Sequence, residues 1–337
     1  MVRRYSRVVR ATLALALAAG ACLLSPLPAA SAAEAYPSAG PVTLIVPYPA
    51  GGPSDTTARI FADPIGKTLH QKVIVDNIGG ATGTIAANRV LNARADGYLF
   101  FQGSPNELIL PTLVNKAVTF KPEDFDMVQP IARATIVLVA RSNLGVDSLD
   151  DFIRLARKRK DAPLSFGSVG MGSMYHLITE RMAKEMGFKV QHVPYRGSSP
   201  ALIDLAGGRI DFAVLPFQTS MLSLQHEGRL KIISTLGSKA PPALNEIPKV
   251  TDSKLLKNFD YGITGAYFVK KGTPQKTMDA LHQAIDYALQ QPAVRQSMEE
   301  EGRSVFDPMS ADASRAYWKK EIRDLRGLVE IVGYQAQ

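Results

Sequence analysis

The sequence predicts an α/β protein with two largely parallel sheets and helices between the strands. Three observations carry that expectation. Short apolar runs bounded by Gly, Pro and Ser alternate with amphipathic stretches along the chain. The 337 residues are enough for two domains of ordinary size. No low-complexity linker separates the two strand–helix series, so strands crossing between the sheets, and hence a hinge, are expected. A composition that is 46% apolar and 21% charged excludes a disordered or fibrous chain.

Val42–Val46 is an apolar run ended by Pro47 and reads as a buried parallel strand. Residues 49–55 are rich in Pro and Gly and form a loop. In 56–70, Ala58, Phe61, Ile65 and Leu69 recur at helical spacing and predict an amphipathic helix. Strand 73–75, a helix over 84–92 and strand 98–102 follow. The second series has strand 136–141, a helix over 149–159 opened by Ser148, and strand 164–167. Helix 174–186, strand 189–194, a helix over 200–206, and strands 211–215 and 231–235 continue it. Residues 259–270 read as extended, and helices over 274–290 and 311–332 close the chain.

The first 33 residues have the pattern of a secretory signal peptide. Arg3 to Arg10 are basic, 11–27 are apolar and rich in Ala and Leu, and Ala30-Ser31-Ala32-Ala33 suits a peptidase. Cleavage is expected after Ala32 or Ala33. The Arg3-Arg4 pair and Cys22 are weaker signals for twin-arginine export and lipidation. No other segment has the apolar length of a membrane helix. The mature chain is therefore expected to be soluble and, in a bacterium, periplasmic. Four arginines of this segment supply half of the formal charge of +8. The remaining basic residues are dispersed apart from Arg157-Lys158-Arg159-Lys160, so no nucleic-acid partner is expected. Cys22 is the sole cysteine, which excludes a disulfide framework, a thiol nucleophile and a Cys-ligated metal.

Three loops follow a strand, are rich in Gly and Ser, and open a helix: 50–55, 168–173 and 196–200. Glycine admits close approach of the backbone, and a helix N-terminus offers unpaired N–H groups to an anion. In open α/β sheets such loops face a ligand at the carboxyl ends of the strands. Candidate contacts are Ala50, Gly51, Gly52, Ser54 and Asp55; Ser168, Gly170, Met171, Gly172 and Ser173; and Gly197 and Ser198. Tyr48, Ser104, His176 and Tyr195 would add side-chain contacts or anchor bridging waters. A bulky residue at Gly51 or Gly172 should then block the ligand. The bland alternative is capping: Ser54 or Asp55, Ser173 and Ser199 all fit N-caps, with Pro200 at the first helical position. For His176, packing and a pocket role are weighed evenly.

Catalytic signatures are missing. Phe166 stands where a G-x-S-x-G elbow needs its first glycine, there is no P-loop, and the five histidines never pair at metal-ligand spacing. No cofactor, metal or enzymatic activity is expected.

At these loops the chain resembles the substrate-binding proteins of tripartite tricarboxylate transporters, the Bug family. The resemblance covers nearly all of the mature chain. It rests on Val46-Pro47-Tyr48-Pro49-Ala50-Gly51-Gly52 with Asp55, Gly83-Thr84-Ile85, Asp96-Gly97-Tyr98 and the 166–176 loop. His192-Val193-Pro194-Tyr195-Arg196-Gly197-Ser198, residues 201–208 and Lys270-Lys271-Gly272-Thr273-Pro274 also fit. It implies a two-domain flytrap of the periplasmic-binding-protein fold, with the ligand in the interdomain cleft. It also implies a small carboxylate ligand held by backbone amides and waters, and large and small membrane subunits as partners. On that basis domain 1 comprises 36–138 plus 262–337 and domain 2 comprises 139–261, with the hinge near Leu138 and Gly262 and a monomeric chain.

Two departures stand out. Many relatives carry an acid at the end of the strand that here reads Phe212-Ala213-Val214-Leu215-Pro216-Phe217, and none is present. In a usually neutral loop, Glu107 could supply that charge to a ligand ammonium, although a solvated loop acid is the favoured reading. The competing functions are a sensor that presents its ligand state to a signalling receptor, and a secreted hydrolase.

Overall fold

The computed structural model describes residues 36–240 and 242–336. The expected signal segment, 1–33, lies outside the described residues. The first half opens with β1 (Val42–Val46), α1 (Pro53–Leu69), β2 (Val73–Asn77), α2 (Thr84–Leu91) and β3 (Leu99–Gly103). β1 lies between β2 and β3 and runs parallel to both, so the loops after all three leave one edge. The order follows from burial. Val42, Leu44, Ile45 and Val46 are fully buried, as a central parallel strand with two covered faces requires.

Two short helices, α3 (Pro105–Leu108) and α4 (Leu110–Val114), lead to β4 (Phe125–Arg141), a strand of 17 residues. The second half contains α5 (Leu149–Lys158), β5 (Leu164–Ser168), α6 (Met174–Met186) and β6 (Val190–Pro194). α7 (Ser198–Ala206), β7 (Phe212–Pro216), α8 (Ser220–His226) and β8 (Leu230–Thr235) complete it. The chain then returns through β9 (Gly262–Lys270), α9 (Gln275–Gln290), α10 (Pro292–Glu300), β10 (Arg303–Val305) and α11 (Ala311–Val332).

β4 belongs to both halves. Residues 125–135 pair antiparallel with β9, which also pairs with β3, and 136–141 pair antiparallel with β7 and β8. β5 is parallel to β6 and β7. The described strands thus form one continuous mixed sheet. A mainly parallel sheet in each half was expected. Each half instead joins a parallel set to antiparallel strands, because β4 and the returning β9 run against their neighbours.

Each half has its own aromatic centre. In the first, Tyr267 of β9 meets Phe61 and Phe100 edge-on at 5.8 and 5.6 Å. In the second, Phe212 packs on Phe152 at 4.8 Å and Phe166 at 5.4 Å. α11 touches both halves. Trp318 packs on Phe268 at 4.8 Å, while Lys184 of α6 donates to the carbonyls of Ile331 and Val332 at 3.2 and 3.4 Å.

Candidate functional site

Where the halves meet, a cavity of about 90 Å³ lies at the carboxyl ends of β1, β3 and β7. The first half contributes Tyr48, Gly52, Ser54, Ser104 and Glu107, and the second contributes Gly197 and Ser198. The N-termini of α1 and α7 open onto it. α1 starts at Pro53 behind Gly52, and α7 starts at Ser198 behind Gly197; neither has a side-chain cap. Ser54, Asp55 and Ser199, read from the sequence as possible caps, lie within the first turns instead. For α1 the reason is local: Pro53 has no N–H and its fixed φ suits the first helical position. The two ends approach closely, since a Cβ on Gly52 would lie 3.5 Å from Ser199 Oγ. First-turn N–H groups from both halves therefore converge on one cavity, which favours an anion.

The third glycine loop is built differently. Ser173 caps α6 by accepting from His176 N at 3.3 Å, and Met174 N donates to Asn106 Oδ1 of the first half at 2.7 Å. Gly170 N donates to Ser168 Oγ at 3.2 Å, Gly172 N to His176 Nδ1 at 3.0 Å, and Ser173 N to Gly170 O at 3.2 Å. These donors are spent within the protein. Gly170, Met171, Gly172 and Tyr195 line a second opening between the halves, beside Thr82 and Val114. Gly170 and Gly172 serve contact between the halves: an added Cβ would come within 2.7 Å of Thr82 Oγ1 and 2.4 Å of Val114.

Ser168 and His176 are packing groups. The rings of His176 and His192 stack at 3.9 Å, and Ser168 Oγ lies 2.7 Å from His192 Nε2 and donates to Gly170 O at 3.0 Å. Burial and the adjacent His176 push His192 down to about 3. Its Nδ1 has no partner, so no acid orients it, and Ser168 is fully buried. A nucleophile–base pair needs the opposite on each count. Tyr195 donates to Asp204 at 2.8 Å. Asp55 turns back from the cavity, accepts from Gly51 N at 2.9 Å and pairs with Arg59 at 3.0 Å. Ala50 and Gly51 are exposed, and a Cβ on Gly51 would meet nothing within 4 Å. Gly51 and Gly172, both expected to approach the ligand, do not line this cavity.

Glu107 is no solvated loop acid. It is 1% exposed, accepts from Ser104 N at 2.6 Å and Ser104 Oγ at 2.7 Å, and receives the Tyr48 hydroxyl. Together with Ser104 it forms the capping box of α3. Burial pushes its carboxyl up to about 7 against these hydrogen bonds, and the Tyr48 hydroxyl is raised with it.

Among the lining residues that sequence reasoning missed are Gln102, Asn106, Tyr175 and Arg303. Arg303 is 4% exposed, and burial lowers its guanidinium to about 10. One signal could have found it. Gly302 sits at φ +73°, where a Cβ would collide with Phe217 at 2.2 Å, so glycine is required in the turn that aims Arg303 inward.

Two α/β halves sharing crossing strands, with an anion-favouring cavity between them, define a solute-binding protein of the flytrap class. Comparison with known proteins gives the family. Residues 57–332 match the model of the tripartite tricarboxylate transporter family receptor, TctC, and the chain belongs to that family of periplasmic receptors. It is 31% identical over 307 residues to protein BugT of Bordetella pertussis, covering 89% of this chain and 91% of that one. The structure of periplasmic binding protein BugD superposes with a TM-score of 0.82 at 27% identity, covering 90% of this chain and 100% of that one. Rpa4515 of R. palustris, solved with adipate, gives 0.83 at 28% identity with the same coverage. Among the described residues no helix is long and apolar enough to cross a membrane.

Proposed function

We propose that the protein captures a small organic carboxylate between its halves in the periplasm, after loss of segment 1–33. It then delivers the ligand to the large and small membrane subunits of a tripartite tricarboxylate transporter. The observation that carries this reading is the pair of uncapped helix ends meeting at Gly52 and Ser199. A carboxylate there would satisfy donors from both halves and so bind the closed form better than the open one. The hinge is placed where β4 passes from one set of partners to the other, between Thr135 and Ile136, and where β9 begins at Gly262. The adipate bound to the R. palustris relative supports the ligand class. Mass spectrometry of the small molecule that copurifies, followed by calorimetry with it, tests the reading. A copurifying compound without an acidic group, bound in the same cavity, overturns it.

A further inference from the structure

Glu107 is the one acid among the residues lining the cavity, and its side-chain oxygens accept only from neutral donors: the Tyr48 hydroxyl, Ser104 N and Ser104 Oγ. Arg303, the one cation of that lining, pairs with Glu301 at 3.8 Å and donates to Pro53 O at 2.7 Å. Glu107 is therefore a buried carboxyl without a cationic partner, on the wall of a cavity where helix ends favour an anion. An ionised Glu107 and a bound carboxylate would repel each other, strongly so away from water. One proton removes that conflict.

The elements packed on α3 bring no compensating charge. β3, α4 and the 81–83 turn carry no titratable residue, Arg89 of α2 is exposed, and the buried face of α11 is uncharged. From the second half Tyr175 faces Glu107, and burial raises that hydroxyl well above its ordinary value, so it stays neutral.

Tyr48 gives the proton a use. A tyrosine hydroxyl has one hydrogen to donate, and a carboxylate can only accept. While Glu107 is ionised, the Tyr48 hydrogen is committed to its Oε1. Oε2 accepts from Ser104 N, a donor that cannot be reversed, so an added proton belongs on Oε1. From there it donates to the Tyr48 oxygen, and the Tyr48 hydrogen is released to turn toward the cavity that Tyr48 lines. One proton thus takes a negative charge off the wall and adds a donor to it.

We propose that the cavity binds its carboxylate together with one proton, held on Glu107 Oε1 and relayed through Tyr48, so that the protein takes up a proton with each ligand. This rests on the carboxylate reading above. Burial pushes the Glu107 carboxyl up to about 7 before any ligand arrives, so at neutral pH the site is partly ionised and has a proton to gain. Binding should weaken as pH rises, because the bound form holds a proton that the free form has lost.

Calorimetry with adipate on the mature protein at about pH 8, in phosphate and in Tris, tests this, since the two buffers release a proton with different enthalpies. The wild type should take up about one proton per adipate, and its affinity should fall about tenfold from about pH 7 to about pH 8.5. Glu107→Gln keeps the shape of the acid and, like its protonated form, can donate to Tyr48. It should show no proton uptake and a flat pH profile, and at about pH 8.5 it should bind at least as tightly as the wild type. A merely structural Glu107 would make this variant weaker at every pH. A wild type that binds adipate without proton uptake overturns the proposal and leaves the carboxylate reading standing. Uptake that persists in Glu107→Gln also overturns it. Carbon-13 NMR of the glutamate carboxyls needs neither ligand nor a binding-competent variant, and a set in which every carboxyl titrates near about 4 overturns the proposal as well. If adipate does not bind, the acid that copurifies replaces it; a copurifying compound without an acidic group removes the carboxylate reading and this proposal together.

Discussion

The N-terminal ends of α1 and α7 and that of α6 start from similar Gly- and Ser-rich loops but have different fates. α1 and α7 begin behind glycines, carry no side-chain cap and face the cavity. α6 is capped by Ser173 and further bound by Asn106 from the other half; the loop before it lines a different opening, and only the Tyr175 side chain of its first turn reaches the cavity. A helix end whose donors are already satisfied holds structure together, and one left open is free to hold something else. Glycine content does not separate the two cases; the ownership of each N–H does.

The pH dependence of α3, a fourth and fully capped end, gives the largest expected effect. The carboxyl of Glu107 titrates at about 7 in the folded chain, against about 4.3 for a free glutamate. Between those values the unfolded chain has lost a proton that the folded chain keeps. The contribution of Glu107 to stability is therefore greatest below about pH 4 and declines by about 3 kcal/mol as pH rises to about 7. Urea melts of the wild type and Glu107→Gln across that range should diverge, with the variant flatter; parallel curves would refute the burial effect.

Bulk at an open end comes next. Gly52 has ordinary backbone angles and lies on the cavity, so Gly52→Leu should fold and lose about thirtyfold in ligand affinity, about 2 kcal/mol. Unchanged binding by calorimetry would remove the open ends from the site. Asn106→Ala leaves Met174 N without its acceptor across the cleft, at a cost of about 1–3 kcal/mol to the closed form. Affinity should fall about tenfold, and X-ray scattering of the ligand-free variant should show a larger radius than the wild type. An equal radius and equal affinity would deny Asn106 a part in closure. The smallest effect belongs to the capped end itself. Ser173→Ala should cost about 1 kcal/mol of stability and change affinity less than twofold. A larger affinity loss would mean that α6 also serves the ligand.

The strand–helix alternation was legible wherever burial and period agreed. Val42–Val46, the Ser148 cap and the full extent of Met174–Met186 read directly from the residues. The first part of β4 did not, because Pro130 reads as a break within a strand. In the fold it sits where the register with β9 shifts, so its missing N–H is tolerated. α3 and α4 were hidden by Pro105 and Pro111, each in the first turn of its helix. Within the site, the glycine loops announced themselves through composition. Which of them faced the cavity depended on pairings such as Asn106 with Met174, 68 positions apart, that no local pattern encodes. Arg303 was marked only by the glycine before it, since it enters on an edge strand close to the end of the chain.

The strand shared by both halves has a consequence for assembly. β4 cannot complete its first-half pairing until β9 is available, with Phe125 opposite Lys270. The whole second half is made in between, so a large loop must close before the first half is finished. Contacts of such sequence separation slow folding. An unfinished chain exposes the edges of β3 and β4 throughout that interval, and the first half, unlike the second, does not contain in one stretch the strands it needs to fold when expressed alone.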